Sequence, residues 1–150
     1  MPKYLSKVEC LKEIKVQYVA KLGYISKESP FIVPITYYYD EQENSIMAFS
    51  TFGHKIEGMR ANTTVCLYID KIESVRKWKT IVIHGEYEEL DKMDNEFYLK
   101  KLGQGIKDIL HSSDQKETRD MAEFSNVKLS KGDPIVFQTR IWDITGRFMG

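Results

Sequence analysis

Phe31 to Tyr39 (FIVPITYYY), Asp40 to Asn44 (DEQEN) and Ser45 to Phe49 (SIMAF) lead into Ser50-Thr51-Phe52-Gly53-His54-Lys55 and then, after Ile56 and Met59, into Thr64 to Ile69 (TVCLYI). The first run is rich in β-branched and aromatic residues, the second is a polar turn, and the third resumes the apolar pattern, so together they predict a hairpin. Ile56 and Met59 stand at helical spacing, and TVCLYI is a further strand. Hydroxyls, a glycine and a lysine therefore converge where a strand gives way to a helix. The first N–H groups of a helix lack internal partners and its dipole favours negative charge there, so this junction suits a phosphate, to which Lys55 adds a full positive charge. The same spacing also serves a short helix capped by Ser50 or Thr51 with Lys55 in solvent, and spacing alone does not choose between the two.

Working outward, Ser6-Lys7-Val8-Glu9 matches a capping box, and Val8, Leu11, Ile14, Tyr18 and Leu22 mark one apolar face of a helix expected to end near Gly23. Gly23 to Lys27 is a short strand, and Glu28-Ser29-Pro30 a turn. Beyond Asp70, the polar and basic Lys71 to Lys79 forms the tip of a long hairpin whose return strand is Thr80 to Leu90, with a bulge expected at Gly85. Asp91 caps a helix expected to run to about His111, with Gly103 and Gly105 weakening its middle. A polar loop from Ser112 to Asp133, with a turn at Lys131-Gly132-Asp133-Pro134, precedes a last strand from Ile135 to Ile144. About six strands, mostly joined by short turns, predict a mainly β protein, an antiparallel barrel with flanking helices. A doubly wound dinucleotide fold is excluded locally, because GxGxxG is absent.

Length and composition set the wider limits. One domain is expected over residues 1–150, large enough to bury roughly 70% of the surface of its unfolded chain. With 22 basic against 22 acidic residues, 42% hydrophobic and 12% aromatic, neither disorder nor bulk affinity for nucleic acid is indicated. No apolar run approaches the ~20 residues of a membrane span, and Met1 to Lys12 is too charged for a secretory signal, so a cytoplasmic protein without membrane or nucleic-acid partners is expected. Cys10 and Cys66 belong to no metal pattern and read as buried, reduced residues; the three histidines form no metal-binding array.

The order of Gly23-Tyr24-Ile25-Ser26, Pro30 to Tyr37, Phe49-Ser50-Thr51 with Gly53 and Lys55, Met59-Arg60-Ala61-Asn62, Trp78 to Ile83 before Gly85, and Asp143 to Arg147 resembles the split-barrel flavoproteins related to pyridoxamine 5'-phosphate oxidase, nearest their nitroimidazole-resistance-type members. The resemblance implies a six-stranded split barrel and a homodimer with two FMN molecules at its interface. By position it implies that Val33, Pro34, Ile35, Thr36 and Tyr37 run along the isoalloxazine ring and that Ser50, Thr51, His54 and Lys55 hold the phosphate. Trp78, Thr80 and Ile81 would complete the ring pocket, and Trp142 would reach the cofactor of the other subunit. Tryptophans at such positions are more often core or interface anchors than flavin stackers.

Two departures narrow the expected chemistry. Phe49 stands where many nitroimidazole-resistance-type proteins carry a histidine, and the substrate-phosphate arginines and C-terminal signature of the true oxidases are missing, so oxidation of vitamin B6 is not expected. The resemblance implies an FMN-dependent reductase that passes electrons to a small planar acceptor, a nitroaromatic or quinone, with no catalytic side chain and no metal. The alternatives are a module that holds flavin or haem without turnover, and a deazaflavin-dependent reductase.

Overall fold

In the computed structural model, residues 1–112 and 134–150 are described. Twelve elements follow in order: β1 (Lys3–Tyr4), α1 (Lys7–Val16), β2 (Val19–Ser26), β3 (Ser29–Thr36), β4 (Tyr38–Asp40), β5 (Ser45–Ser50), α2 (His54–Ala61), β6 (Thr64–Ser74), β7 (Lys77–Glu89), a 3-10 turn (Lys92–Asp94), α3 (Asn95–Ser112) and β8 (Ile135–Met149). The strands form one curled antiparallel sheet in the order β3-β2-β6-β7-β8-β5-β4, with β1 on β8, so the molecule is the expected mainly β split barrel. The described residues hold eight strands rather than six, because β1 is added and the predicted strand Phe31–Tyr39 is cut in two.

The cut falls at Tyr37 and corrects the predicted hairpin. β3 pairs with β2 along its whole length, from Val19 opposite Thr36 to Ser26 opposite Ser29, whereas only the short β4 pairs with β5 across the polar turn. Lys27 and Glu28, both with positive φ, make the tight β2–β3 turn. Between the two pieces Tyr37 turns inward: its N–H donates to the Tyr18 carbonyl (2.9 Å) and its hydroxyl to the Ile14 carbonyl (2.8 Å). Ile14 is among the last four residues of α1, whose carbonyls lack helical partners, so a wholly buried phenol closes the helix end. Tyr37→Phe should therefore cost about 1–2 kcal/mol in urea denaturation, since it strands a buried carbonyl; unchanged stability would show that water serves it equally well.

α1 has its capping box, with Ser6 Oγ accepting from the Glu9 N–H at 3.1 Å and Glu9 Oε1 from the Ser6 N–H at 3.3 Å, but stops at Val16 instead of Gly23. Tyr18 and Leu22 fit a helical stripe, yet Ala20, Leu22 and Tyr24 are buried at a spacing of two, and the strand period prevails because β3 and β6 pair on either side. The long hairpin is longer than predicted, with both strands reaching its basic tip, and Asp91 caps the 3-10 turn before α3 instead of α3 itself. β8 continues past Ile144 to Met149, paired with β7 throughout. From residue 113 onward, the polar loop and its turn at Lys131 to Pro134 lie outside the described residues, apart from Pro134.

The bulge predicted at Gly85 is found with a twist of assignment. His84 faces Asp143 and Gly85 faces Ile141, so the extra residue is Trp142 on β8. Gly85 is required for another reason, the approach of the Arg140 carbonyl, which a Cβ would meet at 2.2 Å.

The main core lies between the sheet, α1 (Cys10, Ile14) and α2 (Ile56, Met59). A second cluster seats Leu102, Ile106 and Leu110 of α3 on Met47 and Val136, and Gly105 lets the Tyr38 ring against the helix. β3, an end of the sheet among the described residues, carries Pro30 and Pro34 and exposes Phe31 and Ile32. Among the described residues no helix is long and apolar enough to cross a membrane.

Candidate cofactor site

Strand alternation divides the predicted site residues between two faces. Residues opposite one another in register share a face. One row runs Val33, Leu22, Leu67, Ile83 and Ile144, and another joins Ile69, Ile81 and Gly146; these point into the core. On the opposite face lie Ile32, Gly23, Cys66, His84 and Asp143, then Pro34, Lys21, Tyr68, Val82 and Thr145, with Thr80 between Asp70 and Arg147 and Trp78 between Ile72 and Met149. Pro34, Thr36, Thr80 and Trp78 are thus on the open face. Ile35, Tyr37 and Ile81 are in the core, with Tyr37 and Ile81 wholly buried, and Val33 packs against it from β3, so the expectation that Tyr37 and Ile81 wall a ring pocket is corrected: only their backbones are available.

The junction after β5 carries the charged end of the site. Ser50 closes β5 opposite Ile135, and its hydroxyl donates to the Thr51 carbonyl (2.9 Å), so it does not cap α2. Gly53 holds the cap position in extended backbone, no side chain caps the helix, and nothing lies within 4 Å of where a Gly53 Cβ would stand. The first N–H groups of α2 are therefore left without a side-chain cap.

Lys55 is half-buried there, and burial pushes its ammonium below the usual lysine range. Among the described residues it has neither an ion-pair nor a hydrogen-bond partner, whereas Arg60 at the other end of α2 is engaged by Glu89 (2.6 Å) and lies over the Phe52 ring at 5.4 Å. A partly desolvated cation without a counter-charge beside uncapped helix N–H groups fits an anionic oxygen ligand.

His54, the first residue of α2, is exposed but held: Nδ1 is 2.7 Å from the Tyr24 hydroxyl and the ring meets Phe31 edge-on at 4.7 Å. Tyr24 and Phe31 are stacked cross-strand partners on β2 and β3. Neither was a predicted site residue; each was visible only as a member of an apolar strand, and the pairing of β2 with β3 was the missing signal.

Trp78 lies at the far end of the sheet. It is six residues along β7 from His84, about 20 Å, while α2 rests on β2 at Tyr24 and Ile25, beside the row that contains His84. There Trp78 borders a cavity of about 190 Å³ with Lys71, Lys79 and Phe148. Trp142, lifted out by the bulge, is 59% exposed and lies 5.6 Å from the His84 ring. One copy of the chain thus brings Ser50, Thr51, His54 and Lys55 together but keeps the Trp78 end of β7 apart from them, while Trp142 stands on β8 against His84. Phe49 packs with the α3 cluster. Among the described residues no three His, Cys, Asp or Glu side chains could hold a metal ion.

Comparison with known proteins agrees with this architecture. An uncharacterized protein of Rhizobium meliloti (strain 1021) is 38% identical over 86 residues, 57% of this chain and 56% of that protein, so the match spans little more than half the length of the curated relative. A FAD-binding protein from Mesorhizobium loti superposes with a TM-score of 0.76 at 26% identity, covering 100% of this chain and 98% of that one. At the level of fold alone, a candidate 5-nitroimidazole antibiotic resistance protein from Bacteroides thetaiotaomicron (TM-score 0.68, 15% identity, 100% and 89% covered) is also similar. So is a FAD- and haem-binding protein from Mycobacterium smegmatis (TM-score 0.68, 12% identity, 98% and 73% covered). The family model described as pyridoxamine 5'-phosphate oxidase matches residues 6–133, from the capping box of α1 through both long hairpin strands and α3, and the chain belongs to that family.

Proposed function

We propose that this chain is a flavoprotein that binds FMN between two copies of itself and delivers electrons to a small planar acceptor. The observation that carries the reading is Lys55, a half-buried ammonium without a counter-charge at the open start of α2, in a fold shared with a FAD-binding protein. Lys55, His54 and the uncapped N–H groups hold the phosphate, with Ser50 and Thr51 beside them. The open-face residues Pro34 and Thr36 border the ring. Proline offers no N–H there, so it contributes shape and leaves the polar contacts to its neighbours.

The distance between Lys55 and the Trp78 end of the same chain is the argument for a dimer, since Trp78 and Thr80 reach the cofactor only from a second copy, to which the resemblance also assigns Trp142. When bound, the flavin supplies the electron-transfer chemistry. The chain's own part is to position it and to admit a flat acceptor. With Phe49 packed against α3, that position supplies no proton donor, so reduction depends on no side-chain acid here.

Purified protein should carry a flavin spectrum, release FMN on denaturation, and scatter light as about twice 17.5 kDa. After anaerobic reduction, a nitroaromatic or a quinone should reoxidise it faster than it reoxidises free FMN. A haem Soret band, a deazaflavin spectrum or FAD alone would replace the cofactor assignment. Reoxidation no faster than that of free FMN would reduce the function to binding without turnover.

A further inference from the structure

The Tyr24–His54 contact determines more than the place of a ring. A phenol has one proton to give, and Tyr24 is 4% exposed, with His54 Nδ1 as the one acceptor at its hydroxyl among the described residues. If Nδ1 carried the imidazole proton, it would donate to the phenol and leave the tyrosine proton with no protein acceptor among the described residues. That arrangement costs more than the reverse, in which Tyr24 donates and Nδ1 accepts. In a neutral imidazole the ring proton is then on Nε2, on the other side of the ring. Phe31, edge-on at 4.7 Å, restricts rotation of the ring out of this plane.

We propose that Tyr24 and Phe31 are positioning residues that hold His54 as a directed N–H donor, its Nε2–H turned outward to a phosphate oxygen of the ligand at α2. This inference rests on the phosphate reading of that site and deepens it. Lys55 supplies charge without direction, as a point-like ammonium does, and His54 supplies a directed N–H, which favours a phosphate monoester in one orientation over a diffuse anion. The cross-strand pair Tyr24 and Phe31 carries that orientation from the rigid sheet into a junction with no side-chain cap of its own.

The test begins with flavin-free, 15N-labelled protein. Long-range proton–nitrogen correlation at about pH 8, where a free imidazole is neutral, should show His54 protonated on Nε2 and bare on Nδ1, and Tyr24→Phe should convert this to a mixture of the two forms. In titrations, Tyr24→Phe should weaken FMN binding about tenfold while leaving riboflavin, which lacks the phosphate, unaffected. His54→Gln keeps an N–H donor that needs no phenol, so adding Tyr24→Phe to it should cost no further FMN affinity. A wild-type His54 protonated on Nδ1 overturns the proposal, as does equal weakening of FMN and riboflavin by Tyr24→Phe. Wild-type protein with the Nε2–H signature but no affinity for FMN would sink the flavin reading and leave the tautomer assignment standing.

Discussion

Gly85→Ala should lower the stability of the folded chain by about 3 kcal/mol, seen as a reduced urea midpoint with an unchanged slope. The added carbon would stand 2.2 Å from the Arg140 carbonyl oxygen and 2.8 Å from Thr139 Cγ2. Backbone cannot swing aside as a side-chain tip does, so β7 and β8 must part at the point where Trp142 is looped out. The sign makes the test sharp. At an ordinary strand position, replacing glycine by alanine stabilises by roughly 0.5–1 kcal/mol through reduced backbone freedom. A neutral or stabilising result would mean that the strands are not this close.

Lys55→Met should reduce FMN affinity about 10- to 100-fold, or roughly 1.5–3 kcal/mol for a lost charge-assisted contact, with riboflavin binding unchanged. In the flavin-free protein the same substitution should do the reverse and raise stability modestly, because it removes a partly desolvated ammonium that has no counter-charge. The pH dependence follows from the lowered lysine: the unfolded chain holds this proton to higher pH than the folded one. Wild-type stability therefore gains as pH rises from the folded value of Lys55 towards its unfolded one, a gain that Lys55→Met lacks. Isothermal titration and denaturation of the same two proteins separate these effects. Loss of affinity without gain of stability would indicate that Lys55 serves the fold, and unchanged FMN affinity would remove it from the phosphate site.

Much of this fold is legible in the chain, because its strands are rich in β-branched and aromatic residues and separated by polar turns, and the long hairpin, the junction at Ser50 to Lys55 and the capping box at Ser6 follow from residue types alone. The misreadings have specific physical causes. Tyr18 and Leu22 satisfy a helical stripe and a strand alternation at once, and only the partners on both sides of β2 decide between them. Nothing local marks Tyr37 as the end of β3, since its role is to reach the last turn of α1, 23 residues earlier.

The site was harder to read than the fold. Alternation shows that Trp78, Thr80 and Ile81 cannot share a face, but where both faces of a strand are apolar it does not say which face is the core. Ile81 proved to be inside and Trp78 and Thr80 outside. Tyr24 and Phe31 escaped notice for the complementary reason: ordinary as strand residues, they gain a role only when β2–β3 pairing sets them together against His54.

The two prolines of β3 bear on how such a chain behaves when crowded. A strand that ends a sheet offers a row of N–H groups to any passing strand, and a proline within a paired strand is tolerated where its missing N–H would have pointed away from the ladder. Pro30, Ile32, Pro34 and Thr36 alternate along that outward direction, so half of the donors on this rim are absent while the opposite rim stays fully bonded to β2. Strand-by-strand polymerisation through this edge is blunted, although Phe31 and Ile32 make it apolar. The rim keeps its hydrophobic side chains but has too few donors to template an open-ended fibre.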